Sequence, residues 1–569
     1  MNPFKQMIAE NIAESLEHPS AQEIVQWIEK PPTSDLGDYA FPCFKLSKTL
    51  KKAPQSIALE LSEAIKMDDM FSKTEAIGGY LNFYFDRKKL AEKVLSEVLS
   101  QKEKFASSNE GAAKTICIDF SAPNIAKPFH VGHLRSTVIG NSLYKIYSHM
   151  GYKCVGINHL GDWGTQFGKV IVAYKNWGSQ ERIEKEPIQG LLDLYVKFHD
   201  ESEKKPELED EAREWFVKME QGDEEALSLW KWFSEETIKE LKKIYSLLGV
   251  HFDHYTGESF YNNKMKPVLD ELHQKNLLED SQGAILVNLE SYNMPPCLVQ
   301  KKDGSTLYAT RDITAAIYRK KTFDFTKCLY LTDYSQNLHF AQWFKVIELM
   351  DYEWAADLEH VPFGRVTHEG RRIQSRKGTV VLLEEVIEGA IERVFNIIEE
   401  KNPELPNKKE VAVDVGVGAV IFNDLSHNRI KDISFSWDTA FSFDGETGPY
   451  VQYTHARAVS VLRKAGIDLE EKTFQIEGSY LEDEVSNQVI RQLETFEDSI
   501  RDAMSKNEPS ILTRHIVDLA QSFNRFYHDH PILVEDVKVK EARLALVASV
   551  KEVLKLGLSL LGIKAPDRM

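Results

Sequence analysis

The spacing of apolar residues divides the chain into stretches of different character. The first hundred residues are mixed. They hold an amphipathic N-terminal helix, a turn-rich extended stretch at Pro31-Pro32-Thr33-Ser34-Asp35-Leu36-Gly37-Asp38, and the run Gly78-Gly79-Tyr80-Leu81-Asn82-Phe83-Tyr84-Phe85. Alternation in that run puts Leu81, Phe83 and Phe85 on one face and Asn82 and Tyr84 on the other, which predicts a half-buried strand. The polar Ser107-Ser108-Asn109-Glu110-Gly111 reads as a linker. Next come a buried strand at Ile116-Cys117-Ile118-Asp119-Phe120, a helix from about Leu134 to His149 and a second apolar run at Cys154-Val155-Gly156-Ile157. All lie within the length of one βαβ unit, a parallel, nucleotide-binding pattern.

Residues from about 180 to 250 are charged and helical, with Ile238, Leu241, Tyr245 and Leu248 on one face, and read as an insertion packed on the core. Lys302-Asp303-Gly304-Ser305 predicts a hairpin turn, because Asp-Gly tolerates the positive φ such turns need. From about residue 380 strand signals thin out. Val547, Val550, Leu554, Leu558 and Leu561 recur at helical spacing, while Pro403, Pro406 and Asn407 mark a loop, so the C-terminal third is predicted to be an α-helical bundle.

Composition adds limits to this picture. At roughly 100 to 200 residues per domain, 569 residues predict three or four domains. With 42% hydrophobic and 28% charged residues the chain can bury a large core, unlike a disordered or collagen-like sequence. No run of about 18 apolar residues is present, so neither membrane spans nor a secretory leader is expected. Cys43, Cys117, Cys154, Cys297 and Cys328 are scattered and odd in number, without a C-x-x-C pair. This argues against a disulfide framework or a Cys-rich zinc site and points to a reducing cytosol. A net charge of −18 disfavours indiscriminate binding along a polyanion, yet local basic patches can still hold a nucleic acid.

The segment richest in chemistry is Ser121-Ala122-Pro123-Asn124-Ile125-Ala126-Lys127-Pro128-Phe129-His130-Val131-Gly132-His133-Leu134-Arg135-Ser136-Thr137. It lies where a strand hands over to a helix, the place at which an open parallel sheet forms a crevice and a helix start offers unpaired N–H groups to an anion. His130 and His133, three apart, share one face of the opening turn, and Gly132 allows close approach to the backbone. Taken alone, the pattern also fits two capping or packing histidines.

Its surroundings distinguish the two. The segment resembles the HIGH signature of class I aminoacyl-tRNA synthetases, in the form found in arginyl-tRNA synthetases. The resemblance continues, in order, at Asn158 through Gly168, Gly257-Glu258-Ser259-Phe260-Tyr261, Tyr308 through Asp312, Gly445 through Arg457 and the final Leu561 through Met569. The second class I signature, the Lys-rich KMSKS loop, corresponds to Arg371-Arg372-Ile373-Gln374-Ser375-Arg376-Lys377-Gly378-Thr379, with Arg372, Ile373 and Gln374 in place of the K-M-S of relatives.

The resemblance implies a multidomain α/β protein: a Rossmann-type parallel-sheet catalytic core, an α/β N-terminal domain and an all-α C-terminal anticodon-binding bundle. Expected boundaries are 1–110 for the N-terminal tRNA-binding domain and 111–380 for the catalytic domain, with its helical insertion at about 178–255. A connecting helical region at 381–445 and the anticodon-binding domain at 446–569 complete the chain. The implied substrates are ATP with Mg²⁺, L-arginine and its cognate tRNA, with arginine activation requiring bound tRNA, in a cytoplasmic monomer without a resident metal.

Family positions assign catalysis to His130, His133, Lys127, Arg376 and Lys377, and ATP binding to those histidines with Gly132, Ile373, Gln374, Ser375, Arg376 and Lys377. Lys127 is expected to share the charge neutralisation that the altered loop gives up. Arginine falls to Asp119, Ser121, Asn124, His159, Tyr308, Asp312 and Gln336, acids and planar acceptors suited to a five-donor guanidinium; many relatives carry Glu at the Asp119 position. For tRNA, Phe41, Asn82 and Tyr84 are expected on the exposed side of the N-terminal strands, and Tyr450, Tyr453, His455, Arg457 and Phe526 in the bundle, where aromatic rings stack on unpaired bases. The alternatives are an inactive paralogue serving as an RNA-binding or scaffolding protein, favoured by the altered loop alone, and a cysteinyl-type synthetase, which would need zinc-ligand cysteines.

Overall fold

The computed structural model describes residues 2–16, 18–66, 68–125, 129–302, 306–368, 371–372, 382–435, 445–468 and 472–569. The first helix, Pro3–Glu14, is capped by Asn2, whose side-chain oxygen accepts hydrogen bonds from the N–H groups of Phe4 at 2.9 Å and Lys5 at 3.2 Å. Its buried stripe includes Phe4, which meets Phe85 edge-on at 5.0 Å. Strands β1 (Tyr39–Pro42), β2 (Phe71–Ile77) and β3 (Tyr80–Phe85) form an antiparallel sheet in the order β1-β3-β2.

Leu81, Phe83 and Phe85 are buried as the alternation predicts, and Phe41, paired with Leu81 and so on the same face, is buried with them; the opposite face is not open either, Asn82 being 3% exposed. The turn-rich stretch at 31–38 folds across that face. Asp38 donates its N–H to the Phe83 carbonyl at 2.8 Å, and an added side chain on Gly37 would press on the same carbonyl. Phe41 and Asn82 are therefore interior groups, which corrects the exposure expected for them.

After the Arg87–Gln101 helix, Ser107–Gly111 does connect two units, though not as a loose linker. Gly111 donates to the Met150 carbonyl at 3.2 Å and lies so close to Tyr152 that only glycine fits. The chain then builds β4 (Thr115–Asp119), β5 (Lys153–Asn158) and β6 (His254–Tyr255), followed by an antiparallel side sheet of β7 (Glu279–Ser281), β8 (Ala284–Val287) and β9 (Cys297–Gln300). Strands β10 (Lys327–Asp333) and β11 (Leu358–Phe363) complete the core. Its sheet runs β11-β10-β4-β5-β6, with every neighbouring pair parallel.

The period of two along β4 divides it between two apolar cores. Ile116 and Ile118 join the core that contains the Val131–His149 helix, while Cys117 joins one built on the Tyr308–Phe323 and Asn337–Leu349 helices. Gly140 lets the first of these helices run directly over the Phe120 ring, where any side chain would collide. Because β5 and β6 lie to one side of β4 and β10 and β11 to the other, the sheet has its switch point between β4 and β10. A ligand crevice is expected at the carboxyl ends of those strands.

Between β5 and β6 stand helices Thr165–Trp177, Gln180–Lys185, Pro187–Ser202, Glu207–Gln221 and Glu224–Leu247, the last with Leu241 and Tyr245 buried. Asp303, Gly304 and Ser305, the predicted turn, lie outside the described residues, but Gln300 and Thr306 beside them form an antiparallel bridge. Beyond the core come β12 (Val366–His368), β13 (Arg371–Arg372) and β14 (Ile433–Phe435), with helices Leu383–Lys401 and Lys408–Leu425. The C-terminal bundle consists of Gly448–Lys464, Glu484–Glu494, Phe496–Ser505, Ser510–Asp529 and Val537–Leu560, with Val547, Val550, Leu554, Leu558 and Leu561 fully buried. Among the described residues no helix is long and apolar enough to cross a membrane.

Polar contacts join the units. Asn2 (2.9 Å) and Tyr39 (2.7 Å) both donate to the Glu494 carboxylate, and Arg491 pairs with Asp38 at 3.3 Å. On the core, buried Arg135 faces buried Asp424 at 3.7 Å, and Ser142 donates to the Leu560 carbonyl at 3.1 Å.

Burial pushes His130, His360, His455 and His515 down to about 4 from the ordinary 6.5. Between those values the unfolded chain binds protons that the folded chain refuses. Their contribution to stability is therefore complete above 6.5 and is lost as pH falls toward 4. Imidazole NMR is expected to show these four rings unchanged from pH 8 to about 5; titration of all four near 6.5 would contradict the assignment.

Candidate active site

The Val131–His149 helix starts at the carboxyl edge of the sheet, and two imidazoles cap it. The His130 Nδ1 accepts the Gly132 N–H at 3.0 Å, and the His133 Nδ1 accepts the His130 N–H at 3.2 Å. The rings stack 4.0 Å apart, with Phe129 on the far side of His133 at 5.2 Å. A neutral imidazole that accepts at Nδ1 carries its proton on Nε2, so both rings present an Nε2–H donor. Burial keeps His130 in this neutral form. Gly132 is required because the His130 ring folds over it: an added Cβ would sit 2.7 Å from the ring's Cε1.

The loop leading to this helix is held in unusual backbone. Ser121 and Ala122 have φ of 71° and 45°, a region that side chains disfavour. Ser121 is held there by its N–H donating to Ser136 Oγ at 2.9 Å and by its own Oγ lying between Thr137 and Tyr245, each at 2.8 Å. Asn124 forms a parallel bridge with Gly161, where a Cβ would meet the Asn124 amide oxygen at 2.2 Å. A further clasp draws in the segment at 257–261: buried Asp162 accepts from the Ser259 N–H at 2.8 Å and Oγ at 2.6 Å. The sequence blocks that recur together are thus joined in space.

The acidic side of the crevice contains Asp119, Asp312 and, from the same clasp, Glu258. Asp119, at the end of β4, pairs with Arg319 at 2.7 Å; Arg319 is buried and lies over the Tyr330 ring. Tyr308 and Asp312 occupy successive turns of one helix, Tyr308 being 67% exposed, and Asp312 pairs with His339 at 2.6 Å. Glu258 pairs with Arg311 at 3.3 Å. His159 donates from Nδ1 to the Thr256 carbonyl at 3.1 Å; burial lowers its pKa, while the fields of Asp119, Asp312 and Asp162 pull the other way. Gln336 ends the turn Tyr334–Gln336, just past β10. Glu258, Arg319 and His339 were not singled out from sequence. Only Glu258 had a signal, inside the block Gly257 through Tyr261.

Lys127, Ile373, Gln374, Ser375, Arg376 and Lys377 lie outside the described residues. Among the expected tRNA residues, Tyr84 is partly covered, its hydroxyl donating to the Asp35 carbonyl at 3.0 Å and Lys73 lying 4.1 Å over its ring. The exposed aromatic ring of that unit is instead Phe44, which meets the half-buried Tyr80 edge to face at 5.6 Å. In the bundle, buried His455 donates from Nδ1 to the Pro566 carbonyl and Phe526 is buried against His530, so both serve packing, a correction to their expected surface role. Tyr450 accepts from Asn524 at 2.9 Å. Arg457 lies between the exposed rings of Tyr453 and Tyr527, 5.0 and 5.3 Å from their centroids, in a cavity of about 660 Å³ also lined by Arg463, Lys464 and Met569.

Comparison with known proteins defines first the class. Residues 94–437 match the family model described as "tRNA synthetases class I (R), catalytic domain", so the core is that of a class I aminoacyl-tRNA synthetase. Residues 2–85 match the arginyl tRNA synthetase N terminal domain and 451–569 the DALR anticodon binding domain. The chain is 69% identical to an arginine–tRNA ligase of Alkaliphilus metalliredigens and 55% identical to one of Clostridioides difficile, each across the full length of both chains. The structure of Thermus thermophilus arginyl-tRNA synthetase is similar with a TM-score of 0.84 and 25% identity, covering 99% of this chain and 100% of that one. The chain belongs to the arginyl-tRNA synthetase family.

Gly132→Ala forces the His130 ring off its cap. The expected result is a loss of about 100-fold in ATP–pyrophosphate exchange, the scale of an ångström-sized misplacement of a catalytic group. Unchanged exchange would show that the histidine cap is not part of the chemistry.

Proposed function

We propose that this chain attaches L-arginine to the 3′ end of its cognate tRNA through an arginyl-adenylate formed from ATP. The observation that carries the reading is the helix start at the carboxyl edge of the sheet, where both capping groups are imidazoles that accept backbone N–H groups at Nδ1. When the arginine carboxylate attacks the α-phosphorus and pyrophosphate leaves, charge grows on phosphate oxygens. Fixed N–H dipoles then do most of what a protein can do for this step. His130 and His133 supply them, and Lys127, Arg376 and Lys377 add cations on the phosphate side, with Gly132, Ile373, Gln374 and Ser375 along the nucleotide. In the second step a terminal ribose hydroxyl of tRNA, the 2′-OH, attacks the adenylate and AMP leaves against the same donors.

Arginine is read as lying between Asn124 and Ser121 at its α-amino and carboxylate end and Tyr308, Asp312 and Gln336 at its guanidinium, with His159 and Asp119 beneath. Among the described residues no three His, Cys, Asp or Glu side chains converge on a cation site. Mg²⁺ therefore fits as the ion ATP brings on its own phosphates, where it shares their charge. The tRNA is read as touching Tyr84 and the Phe44–Tyr80 pair at one end and Tyr453, Arg457 and Tyr527 in the bundle at the other, rings and guanidinium suited to unpaired bases. Arginine activation is taken to require the bound tRNA.

The test is pyrophosphate exchange into ATP with arginine, with and without tRNA bearing an arginine anticodon. Exchange only with tRNA, abolished by His133→Ala, is the expected result. Exchange without tRNA would sink the coupling alone; tRNA binding with no exchange in any condition would favour the inactive RNA-binding paralogue.

A further inference from the structure

Three carboxylates line the acidic side of the crevice, and each has an internal partner: Asp119 with Arg319 at 2.7 Å, Glu258 with Arg311 at 3.3 Å and Asp312 with His339 at 2.6 Å. The first two partners are guanidinium groups, permanently charged, and they cancel the acids they touch. Histidine differs, because it can exist uncharged near neutrality and still donate a hydrogen bond. Here the His339 Nε2–H holds Asp312 Oδ2 at 2.6 Å. No other described residue donates a hydrogen bond to Asp312, so Oδ1 remains for an incoming donor.

His339 is itself well fixed. It is the third residue of the Asn337–Leu349 helix, which continues directly from the turn Tyr334–Gln336. That turn is pinned by Asp333, whose Oδ1 accepts the Ser335 N–H at 2.8 Å and which pairs with Arg365 at 3.0 Å. Asp312 is only a quarter exposed but would otherwise be free to rotate; a second hydrogen bond from a rigid helix removes that freedom before substrate arrives.

We propose that His339 is a positioning residue for arginine recognition: its ring holds Asp312 Oδ2 from a fixed helix and so sets the carboxylate with Oδ1 open to an incoming guanidinium. The proposal rests on the reading of Asp312 as the group that takes the arginine side chain.

The test is steady-state aminoacylation with three variants of the full chain, measuring KM for arginine, KM for ATP and kcat. His339→Leu is expected to raise KM for arginine about tenfold, on the scale of a hydrogen bond to a charged group, with KM for ATP unchanged. His339→Gln, which retains a side-chain donor, is expected to recover most of that loss. The proposal is overturned if the Leu variant matches the parent, if Gln recovers nothing of the Leu variant's loss, or if KM for ATP, kcat and thermal midpoint all deteriorate together. Asp312→Asn separates the two levels: an unchanged KM for arginine there removes the underlying reading, whereas a raised one beside a normal Leu variant removes only the role of His339.

Discussion

A helix cannot satisfy its own first N–H groups, and here that deficit falls at the carboxyl edge of a parallel sheet. Much of the site follows from how it is met. The caps are imidazoles rather than the usual hydroxyls or carboxylates, so the groups that complete the helix are themselves donors on their outer edge. Gly132 must lack a side chain for the His130 ring to fold back, and Ser121 and Ala122 must adopt strained backbone for the loop to reach the helix start. The clasp of Asp162 on Ser259 brings the acidic side of the crevice to the same edge.

The acids and bases of the crevice divide by what surrounds them. Burial holds His130 neutral and fit to donate, whereas His159 lies in the field of three aspartates that offsets part of its burial. A pocket for a cationic substrate built only of unpaired acids would repel itself when empty. Pairing Asp119, Glu258 and Asp312 with two arginines and one histidine reduces that cost.

Local sequence reached the parts of this arrangement that are local. The apolar run at Ile116–Phe120, the shared face of His130 and His133 and the helical spacing of Tyr308 and Asp312 all depend on neighbours within one element, and they are found as read. Exposure is decided by what folds over an element from elsewhere. The face of β3 that should carry Asn82 outward is covered by the turn at 31–38, and the helix face of His455 is covered by the chain end at Pro566. The partners Arg319 and His339 were invisible because each meets its acid between separate elements, Arg319 from a helix to a strand and His339 between two helices, with no fixed spacing to betray it.

The contact between Asn2 and Glu494 joins residues 492 apart in sequence. On a ribosome adding about 5 to 20 residues each second, the N-terminal unit waits roughly 25 to 100 s for the helix on which it docks. An apolar face left bare that long in a crowded cell would invite aggregation. Asn2, the Tyr39 hydroxyl and Asp38 can instead bind water until Glu494 and Arg491 emerge. The order of synthesis is thus a reason for the join to include amide, phenol and carboxylate groups.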